Sequence, residues 1–366
     1  MIFYFGVLLL ILNYFSLSLS NSLTTDESSL IAFKNYTNNS TSLHNWSTQA
    51  PICRWIGVSC GAKHRCVTSL SLPGLSLQGT IAPHLGNLTF LRVLNIPSNN
   101  FTGVLPSELS KLRRLEYINV GTNNLTGEIP TWLGGLLELR RMYLHSNRFS
   151  GGIPSSLFIN NSRLEVLDLE NNQLIRGLIP NAMFNVSSLL SINLARNKLS
   201  GNLPINMCSN TPQLRNFSVG GNQLSGDIPK NIAQCRELEI LELQANYFNG
   251  DIPTEIGFLS KLKYLLLWQN EFKGSIPGQI IGNLTSLIWL NLQSNNFTGS
   301  IPKQGWNLPS LTFLALDSNN LTGTIPEEFG NLASLNNLIL SSNKLTAWCK
   351  SLDWQNTTRA FSFAIP

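Results

Sequence analysis

Apolar and polar positions recur in a unit that returns every 24 or 25 residues, seen most cleanly in Leu311–Pro326, LTFLALDSNNLTGTIP. The same spacing runs through Leu91–Pro106, Leu115–Pro130, Leu139–Pro154, Leu189–Pro204, Leu214–Pro229, Leu238–Pro253, Leu262–Pro277 and Leu287–Pro302. Leu164–Pro180 carries one extra residue near Arg176, and Val67–Ala82 and Leu335–Thr346 are imperfect end copies. An asparagine marks the same place each time, at 99, 123, 147, 172, 197, 222, 246, 270, 295, 319 and 343. Within each unit, L-x-L predicts a short strand with alternate side chains on one face. The asparagine sits where the chain turns inward, and there its amide can bond the backbone of adjacent coils. Further on, Leu or Phe and then Ile-Pro re-enter the core on the far side. Gly permits the bend, and Pro stops the preceding segment from continuing as a helix. No single unit can bury its apolar side, so the coils must stack and share one core.

A fixed period of this length with L-x-x-L-x-L-x-x-N inside it is the signature of a leucine-rich-repeat solenoid. For 366 residues two globular domains would be ordinary, but a solenoid grows by addition and overrides that prior. Charged residues make up 12% of the chain, about half the usual ~25%, and Asn, Ser and Thr carry solubility instead. The formal charge of +5 is spread along the chain and argues against nucleic acid as a partner. Lys111, Arg113, Arg114, Arg140 and Arg141 form the densest basic group, read as the solvated edge of two stacked repeats.

Residues 1–20 (MIFYFGVLLLILNYFSLSLS) read as a secretory signal peptide with Ser18-Leu19-Ser20 at the cleavage site. An uncleaved N-terminal anchor is the competing reading. Asn-x-Ser/Thr sequons at Asn35, Asn38, Asn39, Asn45, Asn87, Asn100, Asn124, Asn160, Asn185, Asn216, Asn283, Asn296, Asn320 and Asn356 support export to the cell exterior. Asn216 is the odd one, because its register puts it on the strand face. Residues 21–66 have a different character and read as a cap over the first coil; residues 67–345 form the repeats, and 346–366 an atypical tail. Asp26–Asn35 predicts a short amphipathic helix that Asp26 or Ser28 could cap. So small a segment gains most from a disulfide, here Cys53–Cys60. A zinc site is disfavoured by export and by the lack of a matching His/Cys set.

TDESSLIAFK, the NW…CRWIGVSC cap, RCVTSLSLPGLSLQGTIAPHLGNLTFLRVL and the L-x-G-x-I-P repeats resemble the extracellular domains of plant leucine-rich-repeat receptor kinases. The likeness is nearest to the group that includes plant immune receptors for bacterial proteins, and it covers about residues 24–345. It implies an α/β solenoid, a right-handed superhelix of about twelve repeats with an additional strand at L-x-G-x-I-P. It also implies an extracellular peptide or protein ligand and a co-receptor kinase as partners. A membrane span and kinase normally follow in that family; here Thr346–Pro366 matches neither another repeat nor the usual paired-Cys cap. We read a truncated receptor-type product or an incomplete gene model. The alternative is a genuine short secreted form with an improvised cap on Trp348 and Trp354. Cys208 and Cys235 lie on adjacent coils within bridging reach. Cys66 and Cys349 remain at opposite ends of the repeats, with a rearranged pairing inside the cap open for Cys66.

Motifs for catalysis, metal or cofactor binding are not found. His44, His64, His84 and His145 are scattered, and the glycines belong to the L-x-G-x-I-P turn. The chemistry expected is recognition on the strand face, through the third, fifth, seventh and eighth positions of each unit. The large or charged residues there are Tyr143, His145, Asp168, Glu170, Glu242, Tyr264, Leu266, Trp268, Trp289, Phe313 and Asp317. The sixth and seventh repeats present Ser191, Asn193, Ala195, Arg196, Asn216, Ser218, Gly220 and Gly221, mostly small. Tyr264, Trp268, Trp289 and Phe313 are expected to form one aromatic patch, with Glu242 and Asp317 favouring a basic partner; packing between coils is the alternative role for the third position. Two functions compete: a receptor's ligand-sensing ectodomain, and a secreted inhibitor of cell-wall hydrolases resembling polygalacturonase inhibitors. A product with no ligand is the third.

Overall fold

The computed structural model describes residues 23–38, 40–172, 174–347 and 360–362. They fall into two compact units, one reaching Ser150 and including Ile159–Leu164, the other made of Gly151–Phe158 and the chain from Glu165. The expected signal segment, Asn39, Cys349, Trp348, Trp354 and Asn356 lie outside the described residues.

The first unit opens with a helix over residues 23–36, so it starts ahead of the expected Asp26. Asp26 is therefore interior and caps nothing. Its Oδ2 accepts a 2.8 Å bond from the backbone N–H of Val67, tying the helix to the first coil. Ser28 donates back to Thr25 O within the helix. The buried Phe33 packs between Trp46 and Phe101, with ring centroids 6.1 and 5.8 Å away. Trp46 stacks on Trp55 at 5.4 Å, and both indole N–H groups reach backbone carbonyls, Ile56 O and Ala50 O. A Cys53–Cys60 disulfide closes this cap. Cys66 is buried and its thiol donates to His64 O at 3.3 Å. Val58–Cys60 pairs antiparallel with Val67–Ser71. From there Val93–Asn95, Tyr117–Asn119 and Arg141–Tyr143 add in parallel, one strand per coil.

The second unit repeats that parallel ladder from Val166–Asp168 to Asn337–Ile339, in unbroken register. Ala360–Ser362 adds one more strand, with Asn337 opposite Ala360. The tail thus supplies a rung that its sequence, which fits no repeat, did not announce. The additional strand at L-x-G-x-I-P is present as shorter ladders, for example Lys198–Asn202, Gln223–Gly226 and Tyr247–Gly250. After most Ile-Pro pairs the chain makes a single 3₁₀ turn, such as Lys230–Gln234 or Thr254–Phe258, with the proline extended just ahead of it. A 24-residue coil leaves room for one tight turn on its outer side, and Gly278–Ile281 is the α-helical exception among the described repeats. Cys208 and Cys235 are buried there and joined by a disulfide.

The apolar residues of each L-x-x-L-x-L are buried, and the Leu/Phe position, half-buried at Leu345 in the last copy, forms a stacked spine through Phe248, Phe272 and Phe297, spaced 6.1 and 6.4 Å. The asparagines hold the opposite edge. Asn246 Oδ1 accepts from Leu224 N at 3.0 Å, while Nδ2 donates to Val219 O, Leu243 O and Gln244 O. Asn123 repeats this pattern with Phe101 N, Ile96 O, Val120 O and Gly121 O. The residue before each asparagine is left-handed. Ser98, Thr122, Ser146, Asn171, Arg196, Ala245, Gln269, Ser294, Ser318 and Ser342 all hold φ between 51° and 56°. That turn directs their N–H groups at the next coil, as where Ser98 N bonds Gly121 O.

Candidate ligand-binding face

The strand face is where side chains are displayed without a fixed packing role. In the first unit, Tyr143 and His145 are half-buried. Tyr143 packs its ring 5.5 Å from Tyr117, whose hydroxyl accepts from Asn119 Nδ2. His145 lies flat over Gly121, where an added Cβ would stand 2.4 Å from its Nε2. Glycine at the seventh position therefore makes a berth for the seventh side chain of the following coil.

The second unit uses the same device to build a hollow of about 320 Å³. Ala195, Ser218, Gly220 and Gly221 form the low part of its lining, and Glu170, Arg196, Glu242, Gln244 and Trp268 rise around them. Gln244 lies over Gly220, where a Cβ would stand 2.5 Å from Nε2. Glu242 Oε2 accepts from Ser218 Oγ at 2.6 Å. Glu170 accepts from Asn193 Nδ2 at 3.1 Å and faces Arg196 Nε at 3.7 Å. Gln244 Oε1 is buried and has no hydrogen-bond partner. Asp168 stands apart from this cluster; its Oδ1 accepts from Glu170 N and shapes the end of the strand. Sequence reasoning passed over Gln244, and it placed Arg196, Gly220 and Gly221 on the face among mostly small residues without seeing a hollow there. The available signal was the run of small residues between large charged ones.

A larger hollow of about 760 Å³ lies along the Gly-x-Ile-Pro segments, with Asp227, Lys230, Asp251 and Glu255 in its lining. Lys230 and Glu255 pair there at 3.5 Å.

The aromatic residues divide. Tyr264, Trp289 and Phe313 occupy consecutive rungs directly opposite one another. Trp289 stacks on Phe313 at 4.2 Å and remains 37% exposed. Trp268 does not join them. It sits four residues beyond Tyr264, about 13 Å further along the coil at ~3.3 Å per residue, and lines the hollow instead. The expected single patch is thus two sites. Asp317 departs further from expectation: it is only 5% exposed, with Oδ2 accepting from Ser318 Oγ. Burial raises its pKa, and the carboxylate is withdrawn from the face. A seventh-position aspartate is short enough to fold back onto its own turn. Asn216 does lie on the face, inside the strand Asn216–Ser218 between Ser191 and Ile240. Asn87, Asn100, Asn160, Asn185, Asn283, Asn296 and Asn320 are exposed, whereas Asn45 is held between Arg54 O and Ile56 N.

Among the described residues, no helix is long and apolar enough to cross a membrane. The leucine rich repeat family matches residues 89–149, 138–199 and 260–321, and the leucine rich repeat N-terminal domain matches 23–61. The LRR receptor-like serine/threonine-protein kinase EFR of Arabidopsis thaliana is 43% identical over 74 residues, which is 19% of this chain and 7% of that protein. The PEPR1–AtPEP1 crystal structure is similar with a TM-score of 0.78 and 30% identity, over 88% of this chain and 46% of that one. The plant peptide hormone receptor RGFR1 in complex with RGF2 gives 0.64 and 32%, over 74% and 46%. The chain thus matches less than half the length of each of these proteins. Cap, coils and family matches together identify it as a leucine-rich-repeat protein, similar over part of their length to plant receptor kinases and their ectodomain structures.

Proposed function

We propose that this chain is an extracellular recognition module that binds an extended peptide or protein loop along the strand face of its second unit. The observation that carries the reading is the in-register row Tyr264, Trp289 and Phe313, in which the Trp289–Phe313 stack is left partly open to solvent. Aromatic residues displayed on a rigid ladder offer large contact area at little entropic cost, the usual make-up of an interface hot spot. The RGFR1 structure, a plant peptide hormone receptor in complex with RGF2, supports a peptide as the ligand class. With Asp317 withdrawn, preference for a basic partner rests on Glu242 and Glu170. A co-receptor kinase is the second partner that the family resemblance implies. The curated relatives are receptor kinases, which favours this reading over an inhibitor of cell-wall hydrolases.

The test uses peptides selected from a random displayed library against the wild-type chain. Trp289→Ala and Trp268→Ala should each weaken them by on the order of 2 kcal/mol with the melting temperature nearly unchanged. Variants that fold poorly yet bind normally would assign these residues to packing and place recognition elsewhere.

A further inference from the structure

The geometry points to the hollow between Glu170 and Trp268 as a specificity pocket for an arginine side chain of the bound peptide, an inference that rests on the peptide-binding reading above. Its volume of about 320 Å³ lies at the lower end of ligand pockets, ~300–1,000 Å³, and suits one side chain better than a folded partner.

Gln244 Oε1 is buried over Gly220 without a partner, which costs free energy, and an incoming donor reaches it once the amide turns toward the hollow. Glu242 commits Oε2 to Ser218. Its other carboxylate oxygen makes no hydrogen bond among the described residues. Two carboxylates, Glu170 and Glu242, and one guanidinium, Arg196, line the hollow. Arg196 does not fill the space: its side chain is 72% exposed and stands 3.7 Å from Glu170, beyond hydrogen-bond length. The incoming group that suits this lining is cationic, rich in N–H and able to use the acceptors of Glu242, at the end of the strand Ile240–Glu242, and of Gln244 two residues on.

A guanidinium meets all three conditions. Its planar fork presents several donors at once, and it can lie on an indole face such as that of Trp268. A lysine ammonium supplies the charge but not the fork, and an anionic group would meet Glu242. The absence of a side chain at Gly220 is part of the design, because it is what lets Gln244 lie low enough to leave the hollow open.

The experiment titrates the whole chain with N-acetyl-arginine methylamide and with its citrulline and lysine counterparts. Binding is followed at the Trp268 indole N–H resonance, which is assigned by its loss in Trp268→Phe. Saturable binding of the arginine compound is expected, with the neutral citrulline analogue weaker by about tenfold or more. Glu242→Gln should weaken arginine by a similar factor, and Gln244→Glu, which adds a charged acceptor, should tighten it several-fold. The gain in the second variant cannot be mistaken for misfolding. Equal binding of citrulline, no saturation by arginine, or no tightening in Gln244→Glu would overturn the assignment. Trp289→Ala should leave capped arginine unaffected. If library peptides ignore Trp289 while capped arginine still binds, the pocket stands and the aromatic anchor falls. If peptides need Trp289 but tolerate loss of every arginine, the pocket assignment falls alone.

Discussion

Asn246→Ala removes one rung of the asparagine ladder. Asn246 is 6% exposed and serves four backbone groups. Leu224 N, which donates to Oδ1 at 3.0 Å, is a buried amide, and stranding it costs ~1–3 kcal/mol. The carbonyls of Val219, Leu243 and Gln244 share the two amide protons and each keep a second lone pair, so together they add about 1–2 kcal/mol. The total is about 2–5 kcal/mol, spent locally because each coil touches mainly its neighbours. A single melting temperature would blur such an effect, since long repeat arrays need not unfold in two states. Amide hydrogen exchange reads it directly. Leu224 N–H should lose protection by a factor of about 30 or more, while Leu199 N–H, served by Asn222, keeps its own. Asn249→Ala, at an exposed position three residues further along the same coil, is the control. Unchanged exchange at Leu224 in Asn246→Ala would refute the claim that the ladder, rather than the apolar core alone, holds this edge.

Burial lifts Asp26 from 3.8 to about 6, against the lowering effect of its bond from Val67 N. The folded chain holds that proton more tightly than the unfolded one, so this stabilisation is full below the unfolded value and is lost as pH rises through about 6. Asp26→Asn keeps an acceptor for Val67 and should gain on wild type in melting temperature as pH rises from about 4 to 7; a constant difference would count against the linkage. Replacing Cys208 and Cys235 together with Ser should cost about 3.5 kcal/mol in chemical denaturation, from loop entropy over a separation of 27 residues, and no loss would show that the coil is held without the bridge. Expressed in plant cells, the chain should begin near Asn21 and migrate faster after N-glycanase; an unglycosylated chain retaining Met1 would exclude export.

The coils were legible because a period of 24 or 25 residues leaves little choice about which side chains face inward. The asparagine role and the cap disulfide followed from the same constraint, one as the answer to buried backbone groups and the other to a small core. Side-chain direction on the face was less legible. Alternation tells that Trp268 and Trp289 both leave the core, but not that they stand at different distances along the coil. Nor does it tell that an aspartate at position 317 can turn back toward Ser318. The hollow was hidden for another reason: it is made by what Gly220 and Gly221 lack, and a list of large residues looks past it. The final strand at Ala360–Ser362 escaped because three residues pair by backbone alone and need no leucine pattern.

The left-handed residue ahead of each asparagine has an evolutionary consequence. Holding φ near 55° costs an L-residue ~1–2 kcal/mol that glycine would not incur, yet serine, threonine, asparagine, arginine, alanine and glutamine all occupy the place. The cost is smallest for asparagine, whose side chain bonds locally, and largest for β-branched threonine, yet the scaffold holds the same turn with all of them. Each coil therefore carries one position that can be rewritten, and glycine, as at Gly221, is the choice that trades a message for stability. A lineage could change what this surface recognises, coil by coil, without first having to make the solenoid sturdier.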